Sequence, residues 1–185
     1  STCVVDGVGV VAAVALALWA HWPLHTGRGQ STVVPAGTPD LAVPHVPISS
    51  RAYAVTLGDG SVLCGASAHR NDPEAATRDE DTRDNLDKLE RLTGSRPVVD
   101  PCTLESRVAW RCHATDRMPI VGAVPARNFT PTVSHVHTRH IAREPGLYVL
   151  TALGSRGLTL APLMAEAVAA SIMREPMPME ASLLD

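Results

Sequence analysis

The stretch that most constrains the fold of this chain is residues 146–173, GLYVLTALGSRGLTLAPLMAEAVAASIM. It opens with residues 147–153, an apolar run typical of a buried strand. Glycines at 154 and 157 interrupt the run, and residues 163–173 are good helix formers. We expect Pro162 in the first turn of that helix, where a proline is tolerated because its missing N–H would be unpaired. The stretch therefore predicts a strand, a glycine turn and a helix.

A turn of this kind has a definite electrostatic character. It directs free backbone N–H groups, and the positive end of a helix dipole, at whatever lies above it. Electron-rich or anionic ligands suit such a place. Many strand–glycine–helix turns in α/β proteins bind nothing, so a purely structural turn is the alternative.

The exact sequence of the stretch favours a ligand. It resembles the C-terminal flavin-binding signature of the D-amino-acid-oxidase-like, FAD-dependent oxidoreductases, and within them the oxidoreductase half of the bifunctional tRNA 5-methylaminomethyl-2-thiouridine biosynthesis proteins. The resemblance implies FAD as the cofactor. It also implies contacts to FAD from a short set of residues: Gly154, Ser155, Arg156, Gly157, Leu158 and Thr159, with Ala161 and Pro162 completing the string. Gly9 is similar to the family glycine at which the chain leaves the FAD-binding domain.

A second string lies at residues 106–124, where a strand leads into a polar turn and a short apolar strand. Arg111, Thr115 or Asp116, Pro119 and Gly122 resemble the family's R-x-x-T-x-D-x-x-P-x-x-G pattern. By this resemblance Arg111 binds the substrate carboxylate. A planar guanidinium suits that role because it grips a carboxylate through two parallel hydrogen bonds. The alternative is that Arg111 pairs with a structural acid.

The remaining site predictions are few. Tyr53, on a predicted strand, is the second substrate-binding residue that the resemblance suggests. No acid–base triad is visible, so no residue is assigned a catalytic role. His135 and His137 could face the same side of a strand, with His140 nearby, but no further ligand completes a metal set at a convincing spacing. We therefore predict no metal.

The middle of the chain reads as a sheet with one helix. Residues 52–56 and 61–66 predict a β-hairpin around the turn at residues 57–60. Residues 32–34 suggest an edge strand, and residues 28–30 alone suggest only a turn. Residues 84–92 predict a solvated helix that covers the sheet and ends at Gly94, with acidic residues 79–81 near its start.

Together these patterns predict an α/β (α+β) fold. A mainly antiparallel substrate-domain sheet would be joined to the C-terminal part of an FAD-binding Rossmann-like domain. The expected divisions are residues 1–27 in the FAD-binding domain, 28–115 in the substrate-binding domain, and 116–185 back in the FAD-binding domain. The chain begins at Ser1 without an initiator Met and lacks a G-x-G-x-x-G turn. We expect a fragment of a larger chain that lacks its N-terminal FAD-binding segment, holds little FAD alone and is inactive alone.

Composition sets limits on partners and location. A net charge of −3 argues against the chain itself being a strong binder of polyanions. The apolar run at residues 8–19 is too short to cross a bilayer and lacks the basic start of a secretory signal, so we predict no membrane association. Four widely spaced cysteines without a C-x-x-C pair indicate a reducing compartment, and we predict a cytoplasmic location.

The resemblance implies a reaction. It implies FAD-dependent oxidation that removes the carboxymethyl group of carboxymethylaminomethyl-uridine, at the wobble position of tRNA, as glyoxylate. The partner would be tRNA, bound through the full-length, multifunctional protein. One alternative is oxidation of a free amino acid such as glycine. The other is a non-catalytic α/β domain that keeps the turn and binds no flavin.

Overall fold

The computed structural model of this protein describes residues 22–126, 129 and 140–180. The chain divides into two compact units. The central unit is Gly27–Trp110, and the composite unit has residues 22–26, 111–126, 129 and 140–180 as its described part. That these units correspond to the expected FAD-binding and substrate-binding domains stays a prediction. Gly9, His135 and His137 lie outside the described residues.

An antiparallel sheet forms the body of the central unit, which confirms the main feature of the predicted fold class. The strand order is β2-β3-β4-β1-β5, with β6 also paired to β1. The registers of β1 with β4 and β5, and of β3 with β2 and β4, are all antiparallel. The strands are β1 (Leu24–Val34), β2 (Ile48–Ser49), β3 (Tyr53–Thr56), β4 (Val62–Gly65), β5 (His69–Arg70) and β6 (Glu105–Ala114).

The predicted hairpin is present as β3 and β4. Its turn is closed by the Leu57 N–H, which donates to the Ser61 carbonyl at 2.8 Å. The Asp59 carboxylate accepts hydrogen bonds from both the backbone N–H and the hydroxyl of Ser61. Gly60 has φ +83°, a left-handed conformation that favours glycine. The local turn chemistry was therefore sufficient to place this element.

Strand β1 differs from its prediction. Residues 32–34 were expected at an edge and residues 28–30 in a turn, yet all of them lie in one strand between β4 and β5. Arg28 and Gln30 are fully buried there. The prediction was wrong because the Arg-Gly-Gln triplet has no apolar pattern of its own, and its burial depends on polar partners supplied from far along the chain.

Those partners come from the segment that leads into the first helix. The Arg28 guanidinium forms an ion pair with Asp81 at 2.6 Å and donates to the carbonyls of Glu74 and Ala76. Asp81 is only 5% exposed and also accepts a 2.7 Å hydrogen bond from His69 Nε2. A buried charge is tolerated when it is paired and hydrogen-bonded in this way. This part of the helix is thus a polar core and not the solvated face that was predicted.

Helix α1 (Asp79–Thr93) covers the sheet. It starts five residues before the predicted residue 84, because residues 79–83 continue the helix through the buried polar cluster. Its C-terminal end is as predicted: Gly94 has φ +75°, and its N–H donates to the Glu90 carbonyl. Leu86 and Leu89 pack into the apolar core of the unit, together with Val34, Ala54, Val62 and Cys64.

The composite unit contains a two-stranded antiparallel sheet and a helix. Strands β7 (Ile120–Pro125) and β8 (Arg143–Thr151) pair, and helix α2 (Gly157–Met173) packs against both of them. Val124, Val149, Ala167 and Ala170 are among its buried residues. The expected order of strand, glycine turn and helix is therefore present. No helix in residues 22–126 or 140–180 is both long and apolar enough to cross a membrane.

The start of α2 corrects the position expected for Pro162. The helix begins at Gly157, so Pro162 lies inside it and not in its first turn. Proline keeps a helical φ there, and the helix loses the hydrogen bond to the carbonyl of Leu158. Leu158 is fully exposed, so water can take the place of that donor. Leu158 and Thr159 belong to the first turn of the helix, whereas the sequence had placed them in the preceding turn.

Candidate functional site

The two strings singled out in the sequence meet within the composite unit. His113, near the end of β6, forms an antiparallel bridge with Leu153, which follows β8. One residue earlier on β6, the Cys112 sulfur accepts a hydrogen bond from the Thr151 hydroxyl at 3.7 Å. The strand that carries Arg111 therefore runs directly beside the segment that enters the glycine turn.

Gly154 opens that turn and lies against the imidazole of His113. Its φ is +57°, and a Cβ added there would come within 2.7 Å of His113 Nδ1. The ring of His113 stacks on that of His25, with centroids 5.3 Å apart and an interplanar angle of 18°. Because the imidazole is held between a second ring and the backbone, only glycine fits at residue 154 without a shift.

The next residues of the turn are tied to the second string by Arg156. Its guanidinium donates a hydrogen bond to the carbonyl of Arg117. Arg117 lies in the polar turn that follows β6 and has φ +64°. One contact thus joins the turn at residues 154–156, a short 3₁₀ segment, to the turn at residues 115–117. Arg156 is anchored there, and its contact with FAD stays a prediction.

The first turn of α2 offers unused donors. The residue that precedes the helix, Arg156, makes no side-chain capping bond. The Cβ position of Gly157 has no heavy atom within 4 Å, and Ser155 and Thr159 are exposed. The first N–H groups of this 17-residue helix have no partners within the helix, and the helix dipole adds positive potential at the same end. This donor set fits the electron-rich edge of a flavin.

Arg111 occupies a position that suits a ligand carboxylate. It is half-buried on β6, and strand alternation puts it on the same face as His113, two residues later. No carboxylate among the described residues forms an ion pair with Arg111. The structural-acid alternative therefore has no support in this part of the chain. Tyr53 lies on β3 in the central unit, so its role beside Arg111 stays a prediction.

Two histidines near this site were not singled out by the sequence. Burial lowers the pKa of His113 below its ordinary value, and electrostatic interaction with His25 and Arg111 acts in the same direction. The lowered pKa favours the neutral form of the His113 imidazole. Its position two residues after Arg111 was a usable signal, because alternation places both side chains on one face. The stacking partner His25 gave no such signal.

Metal ligands do not assemble in the described part of the chain. Among residues 22–126 and 140–180, no three His, Cys, Asp or Glu side chains are grouped so as to hold a metal ion. His140 is exposed, and two of the histidines considered in the sequence, His135 and His137, are outside the described residues. The three described cysteines, Cys64, Cys102 and Cys112, are free thiols.

Comparison with known families decides the class of this chain. The family model described as "DAO: FAD dependent oxidoreductase" matches residues 1–171. The chain belongs to the DAO family. This confirms the family, oxidoreductase class and FAD cofactor that the two strings implied, since FAD is the cofactor that defines the family.

Curated relatives within the DAO family carry a more specific name. The tRNA 5-methylaminomethyl-2-thiouridine biosynthesis bifunctional proteins MnmC of Burkholderia mallei (strain SAVP1) and Burkholderia pseudomallei (strain 668) are each 39% identical to this chain over 172 residues. The match covers 89% of this chain and 26% of each relative. The chain therefore spans about a quarter of the length of the curated relatives it matches.

Solved structures confirm the DAO fold. Glycine oxidase from Geobacillus kaustophilus aligns with a TM-score of 0.67 and 17% identity, over 96% of this chain and 42% of that one. Iminodiacetate oxidase from Chelativorans sp. BNC1 aligns with a TM-score of 0.62 and 20% identity, over 96% of this chain and 43% of that one. At these identities the similarity concerns the fold.

Proposed function

We propose that this chain acts within an FAD-dependent oxidoreductase that removes the carboxymethyl group of carboxymethylaminomethyl-uridine, at the wobble position of tRNA, as glyoxylate. The observation that carries the proposal is the 39% identity, over most of the chain, to proteins named for tRNA 5-methylaminomethyl-2-thiouridine biosynthesis. Membership in the DAO family supplies the redox class. The partner would be tRNA.

The chemistry of the substrates named by the relatives supports the proposal. Glycine and iminodiacetate, named in the two structural neighbours, are amines that carry a –CH₂–COO⁻ group on nitrogen. The carboxymethylaminomethyl group has the same N–CH₂–COO⁻ unit attached to a nucleoside. One site that recognises the carboxylate and exposes the adjacent carbon would therefore suit all three.

Residues of the composite unit would bind both the substrate and the cofactor. Arg111 would bind the substrate carboxylate through two parallel hydrogen bonds. His113 lies beside it on the same face, and burial lowers the pKa of its imidazole. The backbone N–H groups at the start of α2, around residues 155–159, would hold the flavin and stabilise negative charge on it. FAD, when bound, supplies the two-electron acceptor.

The reaction balances without an acid–base triad. The N–CH₂ unit loses two electrons and two protons to become an imine. Water then hydrolyses the imine, which leaves the aminomethyl nucleoside and releases glyoxylate. The chain's part is to hold the carboxylate so that the reacting carbon faces the acceptor, and positioning of this kind contributes much of an enzyme's rate.

The test uses the complete protein that contains this chain, purified with FAD. It is incubated with tRNA carrying carboxymethylaminomethyl-uridine, and the nucleosides and glyoxylate are measured by mass spectrometry. We expect one glyoxylate for each aminomethyl-uridine formed. Failure to convert this nucleoside, in a protein that retains FAD, would contradict the proposal.

The same experiment separates the two alternatives. A glycine-oxidising enzyme would release glyoxylate much faster from free glycine than from the modified tRNA. A non-catalytic α/β domain would purify without the flavin absorbance and would oxidise neither substrate.

A further inference from the structure

A cavity of about 610 Å³ lies within the central unit, and none of the residues assigned above to the flavin or the substrate lines it. Three segments line it: the chain between β2 and β3, the chain from β4 to β5, and one side of helix α1. This volume is many times what is needed to hold one water molecule. The cavity is therefore larger than a single small ion requires.

Most of the charged side chains at this cavity are basic. Arg51, Lys88 and Arg91 line it, whereas Asp84 is the one carboxylate among its lining residues. His69 also lines it, with its Nε2 donating to the buried Asp81. The cavity is therefore locally basic, although the whole chain carries a net charge of −3.

The three cations are held in different ways. Lys88 is fixed by Asp84 at 2.5 Å and by the Ala66 carbonyl at 2.8 Å. Arg91 uses its Nε for the Asp87 carbonyl, so its terminal nitrogens remain available. Arg51 is exposed and forms no ion pair with any described residue. Two guanidinium groups can therefore accept an anionic ligand without breaking an internal ion pair.

We propose that this cavity binds phosphate groups of a nucleic-acid backbone, with Arg51 and Arg91 as the phosphate ligands. The proposal rests on the proposed function, in which the partner is tRNA. Arginine suits phosphate because its fork of N–H donors matches two phosphate oxygens. No Phe, Tyr or Trp side chain lines the cavity, so binding here positions the polynucleotide through its backbone.

The cavity also resolves a conflict in the sequence. A net charge of −3 argues against strong binding of a polyanion by the chain as a whole, whereas the relatives are named for a tRNA pathway. Phosphate binding depends on local cation density, because each neutralised phosphate releases condensed counterions. A basic cavity in an acidic chain satisfies both observations.

The experiment compares two charge-reversal variants in the complete, FAD-loaded protein. The test variant is Arg51→Glu/Arg91→Glu, and the control is Arg83→Glu, an exposed residue of the same helix that does not line the cavity. Binding of an unmodified tRNA is measured across a series of KCl concentrations. Binding of inorganic phosphate and oxidation of a small amino-acid substrate are measured in parallel.

We expect the test variant to bind tRNA about 10-fold more weakly at 0.1 M KCl and to reduce the slope of log K against log [KCl] by about 2, roughly one for each lost phosphate contact. FAD content and small-substrate oxidation should stay at wild-type levels, and the control should bind within twofold of wild type.

An unchanged tRNA affinity and salt slope in the test variant would overturn the proposal. The absence of tRNA binding by the wild-type protein would also overturn it. In that case, binding of inorganic phosphate that the wild type shows and the double substitution abolishes would identify a site for free phosphate. Failure of the proposed function would give a different result: the modified tRNA would bind normally, but no glyoxylate would be released from it.

Discussion

The imidazole of His113 lies so close to Gly154 that a Cβ at residue 154 would come within 2.7 Å of its Nδ1. This contact links the strand that carries Arg111 to the turn that begins the second helix. Glycine is required there both for its φ of +57° and for the missing side chain. The contact also gives the first prediction.

Gly154→Ala should lower the free energy of unfolding by about 1–3 kcal/mol, because alanine must adopt a left-handed conformation against a packed ring. Urea denaturation of the complete protein measures the loss. His113→Ala/Gly154→Ala should lose less than the sum of the single substitutions, since the smaller residue at 113 removes the close contact. Strict additivity in this double-mutant cycle would show that the contact does not matter.

Gly157→Ala should separate stability from cofactor binding. Gly157 has an ordinary helical φ of −53° and an open Cβ position, so alanine should raise the free energy of unfolding of the apoprotein by up to about 1 kcal/mol. If the flavin approaches this backbone, the added methyl group should weaken FAD binding. Flavin retained after dialysis is the measurement. A stabilised apoprotein with unchanged FAD affinity would argue against this contact.

Arg111→Ala should weaken binding of the substrate by about 2–5 kcal/mol, the range for losing one partner of a desolvated charge pair. Steady-state kinetics and binding of a carboxylate inhibitor to the FAD-loaded protein both measure the effect. Arg83→Ala, at an exposed position of α1, is the control and should leave both unchanged. Substrate affinity that survives in the Arg111 variant would refute the proposed role.

Asp81→Asn should destabilise the central unit by about 3–5 kcal/mol, because it leaves the guanidinium of Arg28 buried without its counter-charge. Chemical denaturation of the complete protein, followed by a probe in this unit, measures the change. Asp84→Asn removes a more accessible ion pair of the same helix, with Lys88, and should cost less than about 1 kcal/mol. Equal effects of the two substitutions would contradict the importance of burial.

The same carboxylate should make stability depend on acid pH. Burial by itself would raise the pKa of Asp81, but hydrogen bonds from His69 and Arg28 outweigh it and hold the pKa below its ordinary value. A group whose folded pKa is depressed stabilises the protein above its unfolded pKa, about 3.9, and this contribution disappears as pH falls through the folded value. Unfolding free energies measured from pH 7 to pH 2 should show this loss below about pH 4 in the wild type. The Asp81→Asn variant should show a shallower decline.

Local sequence patterns were reliable wherever the neighbouring residues alone fix the conformation. The turn around Gly60, the end of α1 at Gly94 and the order of strand, turn and helix after residue 146 all follow from glycine placement and apolar periodicity. Helix starts were less reliable. Both helices begin earlier than expected, because polar or proline-containing first turns resemble loops until their surroundings are known.

The sequence by itself determined the family, through the two motifs at residues 106–124 and 146–173. It also determined the local elements that contain these motifs. Only the tertiary structure decided which charges are buried. Arg28 and Asp81 are 53 residues apart, and neither residue's neighbours indicate that a strand and a helix will join them in a core. Likewise, the meeting of His113 with Gly154 depends on strand pairing. Conformation is set by adjacent residues, whereas the burial of a charge or an imidazole depends on partners that only the folded chain brings together.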